Sequence, residues 1–449
     1  MKKSIFILLL VCISLLLVHC GKEKTESDNN DIVNQAIAYI DLLEKKEYVQ
    51  ATQNYDSTML EALPPEQLQQ IWEYFKIQVG EYKRQIGIRT EKKGEYETVF
   101  VTCEFEKMNV ILRIVFNSNR QIAGMFFDET KDGPNRYQIP SYVDVNSYEE
   151  RGVIIHSGEI SLPGTLTVPK GDGPHPAVVL VHGSGPNDRD ESVGANKPFR
   201  DLACGLATQG IAVLSYDKRT LVYGAQLGGA VDKMTVKEET IDDALAAVEL
   251  LRQESQINHD RIFVLGHSLG AMLIPRIGIR DNKIAGFIVM AGTARPLEDV
   301  VLEQMIYLYS LGDSTLIDKD KEIEDIKAQV AKVKDKNLST STPTADLPLG
   351  IPAVYWLDLR GYNPPEIADK LPQPMLILQG ERDYQVTMED FRLWEKALSN
   401  KNNVILKSYP NLNHLFMDGE GKSTPDEYMT EGHVAEKVID DIANWLKAN

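Results

Sequence analysis

The chain has 449 residues, too long for one typical core and enough for two or three domains. It is 43% hydrophobic and 25% charged, a globular composition that excludes a disordered or collagen-like chain. Its 48 basic and 66 acidic residues give a formal net charge of -18, so nucleic acid is not expected as a partner. Four cysteines (Cys12, Cys20, Cys103, Cys204) are too few and too scattered for a disulfide framework, and none form a metal-type pair. Cys103 and Cys204 fall in different predicted domains and are expected to be buried apolar residues.

Lys2 and Lys3 precede an apolar run from Ile5 to Val18 that ends at His19-Cys20. The run is short for a membrane span and suits the apolar region of a secretory signal. The polar stretch GKEKTESDNND follows Cys20, so residues 21–30 read as a flexible tether. With Leu17-Val18-His19-Cys20, residues 1–20 resemble a bacterial lipoprotein signal, although His19 stands where a small residue is usual. That resemblance implies an exported protein of the cell envelope or periplasm, held to a membrane by a lipid on Cys20. The alternative is a plain secretory signal or an uncleaved anchor, with Cys20 incidental.

Residues 31–80 carry helical spacing: Ile32, Ala36, Ile40 and Leu43, then Leu68, Ile71, Phe75 and Val79 after Pro64-Pro65. From about Arg84 the period changes to two, through YETVFVTCEFE, NVILRIVFNS and QIAGMFFDE, with turns at Lys107-Met108 and Asn117–Arg120. Residues 31–130 thus predict a small α+β domain with no nucleophile–base pair or metal spacing. The segment TKDGPNRYQIP reads as a linker.

In residues 141–449, apolar runs alternate with helical segments such as PFRDLACGLATQ, TIDDALAAVELLRQ and MEDFRLWEKALS. The runs are PAVVLVHG, IAVLSYD, IFVLGHS, AGFIVMAG and PMLILQG. Fully apolar strands between helices predict a mostly parallel α/β sheet covered on both faces. Functional groups then gather at the carboxyl ends of the strands.

Gly266-His267-Ser268-Leu269-Gly270 follows an apolar strand and precedes a helical segment. Such a turn needs glycine on both sides of a serine that it lifts above the sheet. Ser268 is the candidate nucleophile, and it needs a base and a group to orient that base. Of the eight histidines, His414 in PNLNHLF follows the last strand. His19 lies in the signal, His267 in the turn, and His182 in the loop after an earlier strand. His156, His175 and His259 are expected at or before strand starts, and His433 is expected to open the last helix. The acid should also end a strand, and the order Ser268…Asp383…His414 selects Asp383, with Glu381 and Asp390 as backups. The oxyanion needs N–H donors; Leu269 follows the nucleophile, and Ser184, with Gly183 next, lies in His182-Gly183-Ser184-Gly185. Asp188 replaces the last glycine of a dinucleotide loop, and no P-loop, HExxH or zinc spacing occurs, so neither cofactor nor metal is expected.

On these residues, about 145 to 449 resemble the α/β-hydrolase superfamily. Within it they are similar to exported acyl-ester hydrolases carrying an HGSGPxDRDE segment and a YDKR segment, here Tyr216-Asp217-Lys218-Arg219. Thr220 stands where such relatives have glycine. The preceding α+β domain resembles a small domain of unknown function found before such hydrolase domains. Asp188, Arg189 and Asp190 are expected to brace the oxyanion loop by ion pairs. An insertion at about 295–370 is expected to cap the nucleophile, with Tyr355, Trp356 and Tyr362 in the pocket lining or in the cap's own core. The resemblance implies a serine esterase acting on a small-molecule ester. The competing expectations are a serine peptidase of the prolyl-oligopeptidase type and a surface binding protein with a vestigial triad. Residues 31–130 are too short for that peptidase's propeller. Oligomeric state leaves no mark in the sequence.

Overall fold

A computed structural model describes residues 26–449 apart from 95, 107, 130–136, 228–232 and 312–318. The signal segment with Cys20, Lys107 of the expected turn and most of the expected linker lie outside the described residues. The chain divides into two compact units, one built from elements up to Asp128 and the other from Glu129–Asn449 together with Glu73–Glu81 and Phe105–Asn109.

The first unit starts with α1 (Glu26–Glu44), two short helices α2 (Tyr48–Ala51) and α3 (Ser57–Ala62), and α4 (Pro65–Val79). Asp56 caps α3 by accepting from the Met59 N–H. Four strands follow, β1 (Tyr82–Lys93), β2 (Tyr96–Phe105), β3 (Asn109–Phe116) and β4 (Ile122–Glu129), paired in chain order. Alternate residues of β3 are buried, as its period of two requires. Ile32, Ala36, Ile40 and Leu43 are buried as expected. Ile71 is not. It is exposed, and Trp72 takes the inward place, because the buried stripe of α4 runs Leu68, Trp72 and Val79.

The second unit holds an eight-stranded sheet in the order β12-β11-β10-β9-β7-β8-β6-β5. Its strands are β5 (Tyr148–Ser157), β6 (Ile160–Pro169), β7 (His175–Val181), β8 (Ala212–Tyr216), β9 (Ile257–His267), β10 (Gly286–Met290), β11 (Met375–Gly380) and β12 (Val404–Tyr409). β6 runs antiparallel to both of its neighbours, and β7 to β12 are mutually parallel. This is the α/β-hydrolase fold, with the mostly parallel sheet expected from the apolar runs.

Those runs are apolar throughout because each face of the sheet is covered. Ala177, Val179 and Val181 of β7 pack with α7 (Asp242–Arg252), α8 (Leu269–Arg280) and α13 (Met388–Leu398). Val178 and Leu180 pack on the other face with α5 (Pro198–Thr208) and α14 (Glu436–Ala448). The same alternation divides Ile262 and Val264 from Phe263 and Leu265 in β9.

α6 (Arg219–Leu227) follows β8. Between β10 and β11 lie α9 (Leu297–Leu311), α10 (Lys319–Lys334), α11 (Ala353–Leu359) and α12 (Pro364–Ala368). α9 rests on the loops near the carboxyl ends, where Gln304 donates to the Gln385 carbonyl and Tyr307 to that of Ser423. Tyr355, Trp356 and Tyr362 are all buried, with hydroxyls or indole given to Glu239, Ile351 and Met272. All three pack in core clusters, and Trp356 and Tyr362 also border a cleft of about 360 Å³ whose lining does not include Ser268. Cys103 and Cys204 are free and buried, as expected.

Candidate active site

The turn after β9 is strained at one residue. Ser268 has φ 52° and ψ -115°, a conformation that L-residues rarely adopt. Its N–H donates to the Met290 carbonyl, tying the turn to the end of β10. Glycine is required on both sides: a Cβ on Gly266 would sit 2.5 Å from the Ala271 nitrogen, and one on Gly270 would sit 2.6 Å from the His182 carbonyl. Leu269 is the first residue of α8, so its N–H has no intrahelical acceptor. The Ser268 hydroxyl is half-buried and bonded to no described residue.

His414 is buried in the loop after β12, and its Nδ1 lies 2.7 Å from Asp383 Oδ2. A carboxylate only accepts, so Nδ1 carries the proton and the Nε2 lone pair is left free. Asp383 is itself held in its turn after β11. Its Oδ1 accepts from the N–H groups of Gln385 (2.7 Å) and Val386 (3.1 Å), and Oδ2 also accepts from Gln379 Nε2 at 3.1 Å. The backups are engaged elsewhere: Glu381 accepts from Ser408, and Asp390 from Thr293, Ala294 and Arg295. A cleft of about 430 Å³ beside Asp383, lined also by Glu381, Arg382 and Lys422, includes neither Ser268 nor His414.

His267 joins the Ser268 turn to His414. Its Nε2 donates to the His414 carbonyl at 3.0 Å, and the two rings lie 4.7 Å apart. Its Nδ1 faces Glu191 Oε2 at 2.9 Å, off the ring N–H axis, so the contact is an ion pair rather than an aligned hydrogen bond. Burial alone would push the imidazole down, but Glu191 outweighs it and holds His267 above the ordinary histidine value. Burial would likewise raise Glu191, and His267 reverses that and lowers it. Glu191 Oε1 also takes the Gly183 N–H at 2.6 Å, so Gly183 is already engaged, whereas the Ser184 N–H has no acceptor among the described residues.

The loop's braces differ in kind. Arg189 pairs with Asp217 at 2.7 Å and Asp190 with Lys197 at 3.2 Å. Asp188 pairs with no cation among the described residues and instead accepts from Ser192 and from the Asp190 and Ser192 N–H groups, as an Asx turn does. Two histidines also differ from expectation. His156 lies near the end of β5, not at a strand start, exposed on the edge strand and beside Ser161. β6 turns back between β5 and β8, so the end of β5 shares the carboxyl side but lies four strands from β9. His433 stands before α14 and contacts Asp201.

His182, packed between Phe199 and Tyr216, is pushed down to about 4, chiefly by burial. Its folded value lies below its unfolded value of about 6.5, so protonation favours the unfolded chain as pH falls between the two. Wild type should lose about 3 kcal/mol more than His182→Phe between pH 7 and pH 4 in urea melts. Equal losses in both proteins would refute this.

Residues 172–421 match the family model described as serine aminopeptidase, S33, and residues 36–125 match the protein of unknown function DUF3887. The chain is 40% identical over 412 residues to Esterase EstD of Thermotoga maritima, covering 92% of this chain and 94% of that protein. It is 21% identical to the uncharacterized peptidase YtmA of Bacillus subtilis, over 65% of this chain and 90% of that one. Among solved structures it is similar to Est1E from Butyrivibrio proteoclasticus, with a TM-score of 0.44 and 16% identity over 66% of this chain and 99% of that chain. The match over more than half of its length, with the strand order and the serine turn that the fold requires, makes the chain a member of the serine aminopeptidase S33 family of α/β-hydrolases.

Proposed function

We propose that the protein is a serine esterase that cleaves small-molecule carboxylic esters through an acyl-enzyme. His414 Nε2 takes the Ser268 proton as Oγ attacks the ester carbonyl, and Asp383 holds the imidazole by its Nδ1–H. The N–H groups of Leu269 and Ser184 receive the oxyanion. The alcohol leaves with the proton from His414, and a water deprotonated by the same ring releases the acid.

The observation that carries this reading is the 2.7 Å contact between His414 and Asp383, which fixes the tautomer a general base needs. The 40% identity to a protein named an esterase supports the ester as substrate. A peptidase is the second reading, favoured by the family's description and by the name of YtmA. The ratio of ester to amide hydrolysis separates the two.

A fluorophosphonate probe tests the nucleophile. Labelling is expected at Ser268 and is expected to vanish in both Ser268→Ala and His414→Ala. Unlabelled wild type at native pH would reject the esterase and favour a binding protein with a vestigial triad.

A further inference from the structure

Lys218, in the YDKR segment, is a buried cation whose place the catalytic steps above do not explain. It is 2% exposed, and its Nζ lies 2.7 Å from Glu239 Oε1. Glu239 Oε2 in turn accepts from the Tyr355 hydroxyl of α11 at 2.7 Å. Nζ also donates to the Gly183 carbonyl, at 2.8 Å. Gly183 runs beside the nucleophile, since a Cβ there would lie 3.1 Å from the Ser268 Cβ.

The Gly183 peptides are therefore held from both sides, the N–H by Glu191 and the carbonyl by Lys218. The Gly183–Ser184 bond is trans, so the Ser184 N–H points opposite to that carbonyl, away from Lys218. It has no acceptor among the described residues. Satisfying the carbonyl does not require a charge, because Asn187 Nδ2 already donates to it at 3.2 Å. Burying an ammonium is costly unless it is paired and hydrogen-bonded. A cation at the carbonyl does what an amide cannot: it draws electron density from the peptide and makes the opposite N–H a stronger donor.

We propose that Lys218 is a positioning residue for the oxyanion: it fixes the Gly183–Ser184 peptide and polarises the Ser184 N–H, while Glu239 and Tyr355 hold the cation in place. This rests on the Ser268 esterase reading.

The test is the double variant Lys218→Met/Glu239→Gln, which leaves no unpaired buried charge, compared with Lys218→Gln/Glu239→Gln, which keeps a donor at position 218 without the charge. Rates on a p-nitrophenyl ester are divided by the concentration of sites that a fluorophosphonate titrates, so partly unfolded protein does not count. Lys218→Met/Glu239→Gln should lose about 100-fold in kcat per site, the scale of one oxyanion donor, with KM within threefold. Butylboronic acid, whose adduct on Ser268 is a tetrahedral anion, should weaken in step with kcat/KM, and Lys218→Gln/Glu239→Gln should fall between wild type and Lys218→Met/Glu239→Gln. Per-site kcat within tenfold of wild type, or a loss carried by KM alone, would overturn the proposal. If wild type neither labels nor turns over, the esterase reading has failed and the role of Lys218 falls with it.

Discussion

Asp383→Asn should lower kcat on a p-nitrophenyl ester by about 10⁴-fold, and Ser268→Ala by about 10⁶-fold, the scale found when comparable triad members are removed elsewhere. Asparagine is the informative change because Asp383 has two duties. Its Oδ1 holds the Gln385 and Val386 N–H groups, which an amide oxygen can still do. Its Oδ2 faces His414 Nδ1, and there the variant would present an N–H instead of an acceptor. The imidazole would then move its proton to Nε2, where it can no longer take one from Ser268. The same amide would also meet Gln379 Nε2, a donor, so some stability is lost as well. Circular dichroism and melting separate this from catalysis. A folded Asp383→Asn protein within tenfold of wild type would remove Asp383 from the triad.

Ser184, Ser268 and Asp383 were legible because each lies just past an apolar run, and such runs mark strands buried on both faces, whereas His414 follows the half-exposed edge strand β12. Sequence order and the elimination of other histidines then pointed to His414. The partners behind the site were not legible. Glu191 and Lys218 are charged residues in polar segments, and nothing local says that one ends beside His267 and the other against Glu239. Those contacts arise only when β7, β8 and β9 lie side by side. The β5–β6 hairpin was obscured for a related reason: edge strand β5 leaves much of its length in water, so it shows no apolar run. In α4, the helical spacing predicts Ile71 inward, but a step of four from Leu68 instead of three turns the larger ring of Trp72 into the core.

Gly270→Ala should be strongly destabilising, at more than about 4 kcal/mol, beyond the usual range for one substitution. The added Cβ would lie 2.6 Å from the His182 carbonyl oxygen and closer still to that of Val181. Both are backbone atoms at the end of the central strand β7, so no side-chain rotation relieves the clash. Either α8 moves away from β7, which opens the core around Leu273 and Ile274, or the loop carrying Gly183 is displaced. The melting temperature should fall by roughly 8–16 °C, at about 2–4 °C per kcal/mol. Activity should fall with it, because the same carbonyls lead into the peptide that carries the Ser184 N–H. Gly224→Ala is the control: nothing lies within 4 Å of its Cβ position in α6, and alanine should stabilise that helix by about 0.5–1 kcal/mol. A Gly270→Ala protein melting within 2 °C of wild type, as roughly expected of a harmless change, would mean that the turn tolerates a side chain and that its glycines are not fixed by packing.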